Sequence, residues 1–218
     1  MIEPNENISM KVALLLFGLS YSEFTHWSNK KLKVDWKKSF TNYKDFIYRY
    51  FNDMNYDVDL YFSTTKSNKA EQNKIIRYYK PIKYNFSDMN NDDTKSRKSK
   101  LLNVIDLCKS SNIQYDYILI TRFDLLFKKN FATSNINLNK FNVVSTMEES
   151  IFIDDNFYLF PFEMLHKFEG VVKCRDFISD HDIRTDLEIA LDDEINLILD
   201  ERKPPTELSF YKIVRNYV

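Results

Sequence analysis

Apolar residues fall into two rhythms along this chain. KVALLLFG (11–18) is a continuous apolar run that ends at glycine, the pattern of a central parallel strand covered on both faces. In YDVDLYFS (56–63), Tyr56, Val58, Leu60 and Phe62 alternate with mostly polar residues, which predicts a second strand. IKYNF after Pro81, the buried-looking YDYILIT (115–121), FNVVSTM, IFIDDNFYLF and a final SFYKIV complete the expected strands. Between them runs a helical rhythm. Trp36, Phe40, Tyr43, Ile47, Tyr50, Phe51 and Met54 predict a helix over 36–54 with Asp35 as its N-cap. KSNKAEQNKIIRYYK predicts a weaker helix, and Leu101, Ile105 and Cys108 one over 97–110. Pro161 suits the first turn of a helix containing Leu165, Phe168, Val172 and Ile178. Leu187, Leu191, Ile195 and Ile198 predict a last helix over 184–200, stopped by Pro204-Pro205. SDMNNDDTKSRKSK (87–100) reads as a mobile polar loop with solvated charges. Strands alternating with helices predict an α/β fold, a three-layer sandwich around a mostly parallel sheet. No linker divides residues 1–218, so one domain is expected.

Composition narrows the function. With a net charge of −1, a basic field for nonspecific nucleic-acid binding is not expected. VALLLFGL is too short to span a membrane and reads as a core strand rather than a signal peptide. The two cysteines, Cys108 and Cys174, each fall on the apolar face of an expected helix and read as buried free thiols of a reducing compartment. A cytoplasmic location is the expectation. The chain has only two glycines, Gly18 and Gly170. Neither a GxGxxG fingerprint nor a phosphate-binding P-loop can be built from them. A nucleotide would have its phosphates held another way, most simply through a metal ion.

In open α/β sheets, ligands gather outside the carboxyl ends of the strands. Gly18, Leu19, Ser20, Tyr21, Thr64, Thr65, Arg122 and Asp124 fall at such ends. If the segment stays extended, Arg122 and Asp124 share one face and can address one ligand. An aspartate there can hold Mg²⁺ or Mn²⁺, and an arginine can fork onto phosphate. The structural alternative is an aspartate that caps a turn and pairs with its neighbouring arginine. Asp154 and Asp155 interrupt an apolar strand. Either they build a strand-end turn with Asn156, or one of them faces the cleft as a general base. His26, His166 and His181 are the only histidines, with His166 inside a helix and the others in loops. Tyr21, Trp27 and Tyr84 can stack on a base or sugar, although most rings of a chain with 16% aromatic residues must be core.

YDYILITRFDLLF resembles the Arg-x-Asp variant of the Asp-x-Asp motif of GT-A-fold glycosyltransferases. It is similar in particular to small enzymes of capsular-polysaccharide clusters and of large DNA viruses that glycosylate their own capsids. KVALLLFGLSY, VDLYFSTTKS, RKSKLLNVIDLC, IDDNFYLFPFEMLHKF and LEIALDDEINLIL resemble further segments of that family in the same order. The resemblance implies a Rossmann-like GT-A core and transfer of a sugar from a UDP- or GDP-sugar to a hydroxyl of a glycan or glycoprotein. It implies donor contacts at Gly18, Leu19, Ser20, Tyr21, Thr64, Arg97, Arg122 and Asp124. It also implies Mn²⁺ or Mg²⁺ on Asp124, with His181 as a further ligand, and Asp155 ahead of Asp154 as the base. If the chain is viral, its place is the host cytoplasm. Two departures stand out: GLSYSEF lacks the arginine that relatives often carry after the first strand, and Arg122 replaces the first acid of the motif. A catalytically silent GT-A-like module that binds glycans or a partner is therefore an alternative. A sugar-phosphate nucleotidyltransferase usually opens with the glycine-rich phosphate loop that this chain lacks.

Overall fold

KVALLLFG lies in the middle of a seven-stranded sheet in the computed structural model, which describes residues 9–25, 31–88, 93–145, 153–174, 183–191, 194–199, 209–213 and 216–217. On one side of β1 (Met10–Gly18) stand β4 (Tyr56–Thr65) and then β5 (Lys83–Ser87). On its other side stand, in order, β6 (Tyr117–Arg122), β9 (Ile153–Pro161), β8 (Phe141–Ser145) and β10 (Ile195–Leu199). Every neighbouring pair is parallel except those of β9, which runs against both β6 and β8.

The apolar run has no polar face because both faces of β1 are covered. Ala13, Leu15 and Phe17 pack against Leu101, Val104, Ile105 and Cys108 of α4 (Asp93–Lys109), with α5 (Leu165–Cys174) and α6 (Ile183–Leu191) in the same layer. Val12, Leu14 and Leu16 face the opposite layer, made by α1 (Trp36–Tyr43), α2 (Arg49–Asp53) and α3 (Lys69–Tyr79). Each fully buried aliphatic side chain there contributes about 1.5–3 kcal/mol of hydrophobic free energy. The expected three-layer α/β sandwich with a mostly parallel sheet is thus what the chain forms. Asp35 caps α1 as expected, accepting from the Lys37 amide at 3.0 Å. A π-helical turn, Lys44–Tyr48, joins α1 to α2.

Two expectations need correction. The polar stretch 87–100 is not a loop throughout, since α4 begins at Asp93. The helix expected over 184–200 ends at Leu191, and INLIL forms the edge strand β10. Ile195 and Leu197 pack toward one core and Ile198 toward the other, a two-residue alternation that the helical reading mistook for a period of 3.6. Of the acids expected on that helix, Glu194 is exposed and pairs with Lys167 at 3.6 Å, whereas Asp192 and Asp193 lie outside the described residues.

Two small sheets were not anticipated as such. β2 (Tyr21–Thr25), β3 (Lys31–Asp35) and β12 (Asn216–Tyr217) form one. The expected final strand becomes β11 (Tyr211–Ile213) and pairs antiparallel with β7 (Leu125–Phe127), outside the main sheet. Asparagine takes over the tight left-handed turns that glycine usually makes: Asn55, Asn112 and Asn135 have φ of 63°, 57° and 50°. Among the described residues no helix is long and apolar enough to cross a membrane.

Candidate functional site

The chain moves outward from β1 to β4 and β5, then returns to place β6 on the opposite side of β1. That reversal is a topological switch point, where the carboxyl ends of neighbouring strands open a crevice. Gly18 and Arg122 flank it. Phe17 is in register with Arg122, Gly18 with Thr64, and the Phe123 amide donates to the Phe17 carbonyl at 3.2 Å. Gly18 has φ +95°, a conformation in which a Cβ is strained. A Cβ placed there would lie 4.0 Å from Arg122 Cγ, an ordinary contact, so the backbone rather than space demands glycine.

β4 supplies hydroxyls to this rim. Thr64 donates to the Gly18 carbonyl at 2.9 Å, accepts from the Ser20 amide at 3.0 Å and lies 2.8 Å from the Ser20 hydroxyl. Gly18, Ser20 and Thr64 are therefore brought together. Three further hydroxyls at and just beyond the end of β4, those of Ser63, Thr65 and Ser67, are buried with no hydrogen-bond partner among the described residues. Each such group costs about 1–3 kcal/mol until something satisfies it.

Arg122 and Asp124 do not share the face of an extended segment. β6 stops at Arg122, and Phe123 and Asp124 form a turn that folds the two charges onto each other. Arg122 donates from Nε to Oδ1 of Asp124 at 2.7 Å and from Nη2 to Oδ2 at 2.6 Å. This fork is the strongest geometry available to the two groups. The side chains are 6% and 0% exposed. Phe123 anchors the turn in the core, and the Tyr43 hydroxyl donates to the Arg122 carbonyl. Burial first, then the nearby Asp124 charge, push the Tyr43 pKa well above its ordinary value, so it stays a donor.

The third partner of Arg122 is Asn156, which accepts from Nη1 at 2.9 Å and donates to the Tyr211 hydroxyl at 3.2 Å. Sequence reasoning missed Asn156, Tyr211 and Tyr43. The only local signal was the asparagine directly after Asp154-Asp155. Asn156 reaches this position because β9 is antiparallel, which brings its first residues to the rim where its neighbours end. It also bulges. Val143 is opposite Tyr158, yet Val144 is opposite Asp154, so Asp155, Asn156 and Phe157 have no counterpart on β8. Bulges of this kind re-aim side chains next to sites. The backbone of Asp154 and Asp155 therefore lies at the same rim as Gly18 and Arg122.

Leu19 and Tyr21 continue from Gly18, and Lys33 Nζ lies 5.7 Å from the centre of the Tyr21 ring. Arg97 is half-buried near the start of α4. Tyr84 is 45% exposed on β5, stacked on Phe62. His26, Trp27 and His181 lie outside the described residues, and His166 contacts the Glu163 carbonyl at 2.8 Å on α5. The described cavities lie elsewhere. The largest of them, about 460 Å³, is at the amino end of β6 between Tyr115, Tyr117 and Phe162.

Asp124 does not fit a divalent cation. Both of its oxygens already accept from a guanidinium. The repulsion between a dication and that guanidinium would offset most of the attraction of the carboxylate beside it. Among the described residues no three His, Cys, Asp or Glu side chains converge on one point.

No family model matches the chain, and no curated protein matches it. Solved structures to which this chain is similar include the glycosyltransferase GlyE of Streptococcus pneumoniae TIGR4, with 9% identity and a TM-score of 0.45 over 87% of this chain. Another is a glycosyltransferase involved in the glycosylation of the major capsid of PBCV-1, with 10% identity and a TM-score of 0.46 over 85% of this chain. The chain spans 45% of the pneumococcal structure and 80% of the PBCV-1 one.

Proposed function

We propose that this chain is a glycosyltransferase that moves a sugar from a nucleoside-diphosphate sugar to a hydroxyl of a glycan or glycoprotein. The observation that supports this best is the meeting of two kinds of group at one switch point. The Gly18–Ser20–Thr64 cradle, with the unsatisfied hydroxyls of Ser63, Thr65 and Ser67 beside it, lies on one side. The bulged start of β9, carrying Asp154 and Asp155, lies on the other. The ordered resemblance of YDYILITRFDLLF and its flanking segments to GT-A enzymes supports the same reading.

In an inverting transfer, the acceptor oxygen bonds to the anomeric carbon as the bond from that carbon to the diphosphate oxygen breaks. The diphosphate leaves with the electron pair, and the acceptor proton passes to a carboxylate within hydrogen-bond reach. Asp155 is assigned that role, with Asp154 as the alternative. No step runs through a metal on Asp124, because that carboxylate is already engaged by Arg122. UDP- and GDP-sugars are the donors to try. A screen of them for slow hydrolysis without acceptor tests the proposal, and hydrolysis of none of them refutes it.

One observation favours a second reading. The saturation of Asp124 by Arg122 suits a GT-A-like module that binds a glycan or partner without catalysis. Such a module would bind without turning over any donor.

A further inference from the structure

We infer that Arg122 and Asp124 clamp each other, and that this rim takes up a nucleoside diphosphate with no divalent cation held by Asp124. The nature of the ligand rests on the transferase reading above; the statement about the cation does not.

Charge comes first. A dication is drawn to a carboxylate by its net negative charge and by its free lone pairs. Asp124 offers little of either, since each oxygen accepts a charge-assisted hydrogen bond and the paired guanidinium cancels its charge.

Geometry comes second. The clamp joins three distant parts of the chain. Arg122 ends β6, its Nη1 reaches Asn156 on the β9 bulge, and Asn156 reaches Tyr211 on β11. Turning Asp124 outward toward a ligand would break both arms of the fork. It would also disturb Phe123, whose ring is fully buried beside Phe62 and Tyr79, and the Tyr43 bond to the Arg122 carbonyl.

The arginine therefore stands where a motif with two acids would recruit an ion. It sets a guanidinium where the ion would sit, and Asp124 acts as a positioning residue that holds that guanidinium in place.

Two measurements on the whole chain test this. Mn²⁺ is titrated into the protein alone and followed by electron paramagnetic resonance. Loss of free-ion signal with a saturable site in the wild type, absent in Asp124→Asn, overturns the inference; its absence in the wild type supports it and needs no variant to fold. UDP and GDP affinities are then measured calorimetrically in EDTA and in MnCl₂. A ratio near one supports the inference. A tenfold or greater gain with Mn²⁺ that Asp124→Asn loses overturns it. If neither nucleotide binds in either condition, the transferase reading fails, and the Mn²⁺ titration alone decides the clamp.

Discussion

Arg122→Met is the sharpest perturbation of the rim. It removes both arms of the fork to Asp124 and the bond to Asn156 while leaving a side chain of similar length. Asp124, with 0% of its side chain exposed, is then left with a charge that has lost its arginine counterion. Breaking a buried pair in this way costs about 3–5 kcal/mol. Asp124→Leu makes the converse change and takes the carboxylate away from the guanidinium. The double variant Arg122→Met/Asp124→Leu strands neither charge, and exchanging a buried pair for apolar groups is often neutral. It is expected within about 2 kcal/mol of wild type, so the two single losses will not add. Urea unfolding followed by tryptophan fluorescence and far-ultraviolet circular dichroism measures all four proteins. A loss below about 1 kcal/mol for Arg122→Met, or single losses that sum to that of the double variant, refutes the clamp as a stability-bearing unit.

Other expectations follow from features elsewhere. Gly18→Ala forces a Cβ onto a backbone with φ +95° and should cost about 1–2 kcal/mol, a fall in Tm of roughly 2–8 °C; an unchanged Tm would place the strain elsewhere. Burial, and secondarily the charge of Asp59, push the Cys108 thiol up to about 12. Cys174, expected to be buried like Cys108, is exposed, so iodoacetamide at pH 8 should mark Cys174 and spare Cys108 in the native state, and two adducts by mass spectrometry would contradict this. Burial and then Asp59 likewise raise Tyr48 to about 12. The fold favours the neutral form of both groups. Their contribution is complete below the ordinary values of 9.0 and 10.0 and is lost as pH climbs toward 12, so the urea midpoint should drop over that interval. Asp155→Asn should slow donor hydrolysis at least about 10²-fold while leaving UDP or GDP affinity intact, and an unaltered rate would remove Asp155 as the base.

The central strands were legible because burial on both faces leaves an unbroken apolar run, and its short length and flanking turn signals favour a strand over a buried helix. Residues 11–18 and 115–121 were placed this way, and 56–63 by its alternation of apolar and polar positions. INLIL was misread because four apolar residues spaced 187, 191, 195 and 198 satisfy a helix, and only the switch of burial between Leu197 and Ile198 reveals a strand. At the rim, sequence position alone brought Gly18, Thr64, Arg122 and Asp124 to the carboxyl ends. It did not fix how the two charges would be used. Alternation holds only while the backbone stays extended, and the turn at Phe123 and Asp124 replaced a shared outward face with a mutual bond. Asn156 was invisible for a related reason. Its role depends on a register shift between two strands, which no single stretch of sequence encodes.

That register shift has a practical consequence. Chain length in the strand carrying the two acids is decoupled from the packing of Tyr158 and Phe160, because the surplus residues are absorbed before those rings enter the core. Phe157 stays paired with Thr121 of β6 and Asn156 stays bonded to Arg122, so one residue removed or added ahead of Asn156 would slide the acids along the rim while the rings beneath keep their seats. Under the proposed transfer, acceptor preference would thus drift by small deletions and insertions at one spot, with the scaffold left unchanged.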